Sequence, residues 1–154
     1  MADKLHYEND YPLSEKRRDL LKTSKDRPID EITLDAVMDG EIEADEIRAT
    51  PETLEYQAQI AESIGRPQLA ANMRRAAELT GVPDDRIMEI YNSMRPERST
   101  KDELLAIADE LENEYEAKTT ADLIREAADV YEAHGRLREP KEEEAEGQQR
   151  EVSE

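Results

Sequence analysis

The stretch 50-TPETLEYQAQIAESIGRPQLAANMRRAAELT-80 reads as two helices set back to back. Thr50 is a good N-cap, because its hydroxyl can accept a bond from the unpaired amides of a first turn, and Pro51 suits the first helical position. Leu54, Ala58, Ala61 and Ile64 then recur at helical spacing until Gly65, which can adopt the left-handed conformation that ends a helix. Pro67 reopens the chain as a second helix. Its expected inward stripe is Leu69, Met73, Ala76 and Thr80, with Ala70, Ala71 and Ala77 beside it allowing close approach, and Gly81 closes it.

Working outward, the same punctuation repeats. Thr33 caps a short helix, Leu34 to Asp39, whose Leu34, Val37 and Met38 are expected to face the main hairpin before Gly40. Pro83-Asp84-Asp85 opens a helix with the stripe Ile87, Ile90, Tyr91 and Met94. Thr100 and Glu103 spell a capping box for the next, which carries Leu104, Ile107, Ala108, Leu111 and Tyr115 inward. Thr119 or Thr120 caps the last, with Leu123, Ala127, Val130 and His134 on one face and Ile124 and Tyr131 flanking. Short connectors favour antiparallel neighbours, so the expected fold is all-α, an irregular antiparallel helical bundle over residues 33–138. Residues 1–32 have no sustained period and read as an extended N-terminal docking arm, either laid along another protein through Tyr11-Pro12-Leu13 and Leu20-Leu21 or disordered alone. Residues 139–154 carry Val152 as their only large apolar residue and read as a disordered acidic tail.

Composition bounds the core. Leu, Ile and Val number 13, 10 and 4 with no Phe, so 27 of 154 residues, or about 18%, are strong core formers, under the roughly 20% below which a highly charged chain tends toward disorder. Acidic residues outnumber basic ones 40 to 21 and the formal net charge is −19. The predicted core is therefore thin, and self-repulsion strains it unless salt or a partner relieves it. Nucleic acid and anionic membranes are disfavoured as ligands, because both demand the opposite sign. A salt-rich cytoplasm is one setting in which such charge is screened.

The absence of Cys removes disulfides, thiolate catalysis and cysteine-ligated metals. No window approaches the roughly 18 apolar residues of a membrane span, and the N-terminus lacks an apolar run, which points to a cytosolic chain. His6 and His134 have no partners at metal-ligand spacing. Asp35 to Glu46 half matches a twelve-residue calcium loop, with Asp35 first, Asp39 fifth, Gly40 sixth, Ile42 eighth and Glu46 twelfth, but Val37 stands third, where an oxygen is needed. A helix end followed by an acidic linker accounts for it. No carboxylate pair or glycine-rich loop offers a reaction centre.

What a self-contained bundle would not need is more telling. Tyr56 and Ile60 give the first long helix a second apolar side. Arg74 and Arg75 project from the next helix, and Arg95 and Arg98 flank Pro96. Tyr and Arg are enriched at interface anchors. The subunit-interface candidates are thus Tyr11, Leu13, Tyr56, Ile60, Arg74, Arg75, Arg95 and Arg98, and catalytic, cofactor-binding and metal residues are absent.

Taken together, Tyr11-Pro12-Leu13, LEYQAQIAESIGRP (54–67), MRRAAELTGVPDDRIMEIYNSMRPERST (73–100), KDELLAIADELE (101–112) and IREAADVYE (124–132) resemble the small subunit of the adenosylcobalamin-dependent diol and glycerol dehydratases. The resemblance implies a lyase of three kinds of subunit, two copies of each. Cobalamin would lie between the large and medium subunits, and the helical small subunit would pack outside. An adenosyl radical would convert a vicinal diol to an aldehyde with loss of water, and this chain would bind no cofactor itself. Glu97 departs from the aromatic expected between Pro96 and Arg98. Ten residues precede Tyr11, with Leu5 and Tyr7 their clear apolar anchors, which disfavours packaging in a protein-shelled microcompartment through this subunit. The alternative is a free-standing helical adaptor or regulator that shares the bundle and not the enzyme. Preference between glycerol and propane-1,2-diol is not written in this chain.

Overall fold

In a computed structural model of the chain, which describes residues 4–139, the punctuation read from the sequence is largely realised. Thr50 Oγ1 accepts the Thr53 amide at 3.2 Å, and Pro51 opens a thirteen-residue helix. Gly65 turns the chain at φ +71°, and the Arg66 amide returns to the Ala61 carbonyl at 2.9 Å, satisfying an end carbonyl of that helix. In chain order the helices are α1 (Tyr7–Asp10), α2 (Leu13–Lys16), α3 (Leu34–Met38), α4 (Pro51–Ser63), α5 (Pro67–Leu79), α6 (Asp84–Ser93), α7 (Lys101–Tyr115) and α8 (Lys118–Ala133). Single 3-10 turns stand at Arg18–Leu20 and Ile29–Glu31, and no strand occurs among the described residues. The fold is all-α. The expected acidic tail falls, from residue 140, outside the described residues.

The chain divides into two compact units at Thr80 and Gly81, so residues 4–32 belong with α3–α5 and not to a separate arm. In the first unit α4 has two packed sides. One meets α5 through Ala58, Ala61 and Ala70, with Met73 against them. These small side chains, and not the expected Leu69, Ala76 and Thr80, form the ridge, because the helices approach closest where the side chains are shortest. Ile64, Leu69, Ala76 and Thr80 are exposed.

The other side of α4 is covered by the chain's own N-terminal segment. Leu5, Leu13 and Leu21 are buried with Ile60, and Leu20, Ile29 and Tyr56 pack around them. The Leu5 amide donates to Gln59 Oε1 at 3.0 Å and the Tyr7 amide to Ser63 Oγ at 2.9 Å. The irregular spacing of these leucines follows from the path, which runs through two one-turn helices and a 3-10 turn in place of one periodic element. Helix α3 corrects another expectation: Leu34 and Met38 are each 76% exposed and Val37 42%. Five residues make little more than one turn, and only Ala36 is drawn inward.

In the second unit α7 and α8 pack along Leu104, Ile107, Ala108 and Leu111 on one and Thr120, Ala121, Ile124 and Ala128 on the other. The capping box of α7 is present: Thr100 Oγ1 accepts the Glu103 amide and Glu103 Oε2 accepts the Thr100 amide. Helix α8 departs from expectation by one residue of rotation. Its stripe was expected on Leu123 and Val130, but those are 38% and 47% exposed. Both faces are apolar, and the one rich in alanine fits more closely against α7. Neither Thr119 nor Thr120 caps α8; Ala117 holds that place without a side-chain bond, and Thr120 is buried. On α6 Ile90 is buried and Ile87 and Met94 are half-buried, whereas Tyr91 turns outward.

Candidate docking surface

The eight interface candidates separate by what they touch. Leu13 and Ile60 are buried in the first unit's own core, and Tyr56 lies half-buried against it. That correction has a simple cause, because the second apolar side of α4 is filled intramolecularly. Tyr11 stays exposed and stacks on Tyr7, the ring centroids 4.9 Å apart and the planes within 18°.

The arginines divide as well. Arg74 Nε donates to Glu55 Oε2 at 2.8 Å and Arg74 Nη1 to Glu62 Oε1 at 2.5 Å, tying α5 to two separate turns of α4. The Arg74 guanidinium, helped by Lys4 at 2.6 Å, holds the Glu62 carboxyl down at about 2, and Arg74 likewise lowers Glu55. Arg75 hydrogen-bonds Asn72 on its own helix. Arg95 and Arg98 are exposed, and neither guanidinium meets a carboxylate among the described residues.

Around Arg95 and Arg98 the backbone is braced. Tyr131 Oη donates to the Met94 carbonyl at 2.8 Å, Ser99 Oγ to the Ser93 carbonyl at 2.9 Å, and the Arg138 amide to the Ser99 carbonyl at 2.9 Å. Glu97 sits at φ +64°, its amide bonded to the Arg136 carbonyl at 2.8 Å. A turn fixed at this many points presents its side chains with little further ordering cost. Next to it, Met88 and Tyr91 share the outer face of α6 three residues apart, 57% and 63% exposed, and Arg95 follows one turn on. Sequence periodicity alone placed Tyr91 inward and missed this pairing. The signal available was composition: Met, Tyr and Arg are the side chains that interfaces favour.

Other arginines are committed to acids. Arg86 meets Glu89 and Glu110, and Arg125 meets Asp109, Glu112 and Asp122. Glu46, the last position of the partial calcium loop, is buried and accepts from Thr23 Oγ1 at 3.1 Å and Arg27 Nε at 2.7 Å, so its oxygens hold the fold together. Among the described residues no group of three or more His, Cys, Asp or Glu could hold a metal ion, and no helix is long and apolar enough to cross a membrane.

A braced turn with exposed arginines beside exposed aromatic and thioether side chains has the composition that protein interfaces favour. Residues 6–138 match the family described as the dehydratase small subunit. The chain belongs to that family. It is 56% identical over 122 residues to the propanediol dehydratase small subunit of Citrobacter freundii, covering 79% of this chain and 71% of that one. Against the propanediol dehydratase small subunit of Salmonella typhimurium it is 55% identical over 123 residues, 80% of this chain and 71% of the relative. Membership of a small-subunit family implies partner subunits in a dehydratase complex, and the matched span takes in both units and all eight interface candidates.

Proposed function

We propose that this chain is the small, non-catalytic subunit of a cytoplasmic diol dehydratase that uses adenosylcobalamin to convert a vicinal diol into an aldehyde and water. The observation that carries the reading is the identity of more than half to two propanediol dehydratase small subunits across most of the chain. Large and medium subunits, two copies of each chain, complete the assembly. The corrin and the substrate are held by those partners. The cofactor, bound elsewhere, supplies the radical that removes hydrogen from the diol. This chain's residues stabilise the large subunit through the exposed face of α6 and the turn after it, where Arg95 and Arg98 donate to carboxylates of the partner.

Reconstitution tests the reading. Purified large and medium subunits should form aldehyde from propane-1,2-diol or glycerol with adenosylcobalamin when this chain is added, and should assemble poorly without it. Equal assembly and turnover in its absence would overturn the role.

A further inference from the structure

We propose that the cleft walled by Tyr7, Tyr11, Ile64, Arg66, Leu69 and Met73 receives an apolar side chain flanked by a carboxylate, carried by the large subunit; the choice of partner rests on the function proposed above.

The cleft encloses about 340 Å³ at the turn between α4 and α5, near the lower end of the roughly 300–1,000 Å³ found for ligand pockets. Its wall is preformed, since the stacked Tyr7 and Tyr11 rings lose little freedom when a guest arrives. Ile64 and Leu69 are left exposed at its mouth, although apolar side chains are scarce in this chain.

Arg66 supplies the electrostatic half. It occupies the N-cap of α5, where Ser, Thr, Asp or Asn would stabilise the helix, and no acidic residue follows in the first turn. A cation at this end opposes the helix dipole. Its guanidinium meets no carboxylate among the described residues, while Arg74 on the same helix holds two. In a chain with 40 acidic and 21 basic residues, an arginine left uncompensated at an unfavourable position is explained by an anion that arrives from outside. A second copy of this chain is the wrong source, because two bodies of net charge −19 repel, and nucleic acid or anionic lipid meets the same repulsion. An apolar and acidic segment of a partner subunit satisfies both halves of the cleft.

Capture of the purified large subunit by this chain, full length, tests the proposal. Arg66→Glu and Leu69→Ala should each weaken capture by about tenfold or more, as central anchors do, while Arg66→Lys keeps most of the affinity. An acidic N-cap favours α5, so unchanged circular dichroism and melting of Arg66→Glu would separate lost docking from lost folding. A photo-crosslinking residue at Leu69 in the assembled complex should mark a large-subunit peptide with Asp or Glu within one turn of an apolar residue. Parent-like capture by both variants, or a crosslink to the medium subunit, to a second copy or to nothing, overturns the proposal while leaving the function standing. Failure of the parent chain to capture the large subunit overturns the function and this occupant together.

Discussion

Arg27 Nε lies 2.7 Å from Oε1 of Glu46, a carboxylate only 1% exposed that also accepts the Thr23 hydroxyl. Thr23 and Arg27 lie on the turn that follows α2, and Glu46 lies in the loop before α4, so one side chain fastens two segments that lack regular structure.

The pH dependence follows from this pair and from Glu62. The Arg27 guanidinium holds Glu46 below its ordinary 4.5 against the opposing effect of burial, and the Arg74 guanidinium takes Glu62 from 4.5 to about 2. A carboxyl depressed in the folded state contributes stability that is complete above its unfolded value and is lost as pH falls through the folded one. The thermal midpoint should therefore fall as pH is lowered from about 4.5 toward 2. Glu46→Gln should lower the midpoint at pH 7 and narrow its gap to the parent on acidification. A gap that widens in acid would contradict the assignment.

The rotation of α8 can be tested by truncation. Ile124 is fully buried against α7 and Leu123, its neighbour, is 38% exposed. Ile124→Ala should cost about 2–5 kcal/mol in urea denaturation, and Leu123→Ala less than about 1 kcal/mol. The reverse order would restore the face expected from periodicity.

Local chemistry was legible because single residues decide it: Thr50 with Pro51, Gly65, Thr33 and the Thr100–Glu103 box all act as read. Tertiary choices were not, where two faces of one helix were both apolar. Leu123 and Ile124 differ by 100° of rotation, and nothing local to α8 says which meets α7. Tyr56 and Ile60 revealed a second packed side of α4, but not that Leu5, Leu13 and Leu21 would cover it. For the same reason the exposure of Met88 and Tyr91 on one face could not be read without the orientation of α6.

Salt should act on the isolated chain. The largest fully buried side chains are Leu104, Leu111, Ile124 and Glu46, a thin core for a chain of net charge −19. Screening shortens the range of repulsion from about 10 Å at 0.1 M salt to about 3 Å at 1 M. Helix content or melting temperature should rise with sodium chloride. A flat response would show that the ion pairs already balance the charge.

The last prediction separates residues that hold the chain together from those that hold a partner. Arg74 is committed to Glu55 and Glu62, so Arg74→Glu places three carboxylates together and should lower the melting temperature of the isolated chain. Tyr56→Ala should do the same, because the ring packs on the Leu5, Leu13, Leu21 and Ile60 cluster. Tyr91 and Arg98 are exposed. Tyr91→Ala and Arg98→Glu should leave helix content and melting unchanged, since substitutions at such exposed positions move stability by no more than about 0.5 kcal/mol. Each should nonetheless weaken capture of the large subunit by about 2 kcal/mol or more if the α6 face is a central anchor. Circular dichroism and a quantitative pull-down on all four variants give the comparison. Destabilisation by Tyr91→Ala would mean that its ring packs within this chain, and parent-like capture by both outer variants would move the docking surface away from α6.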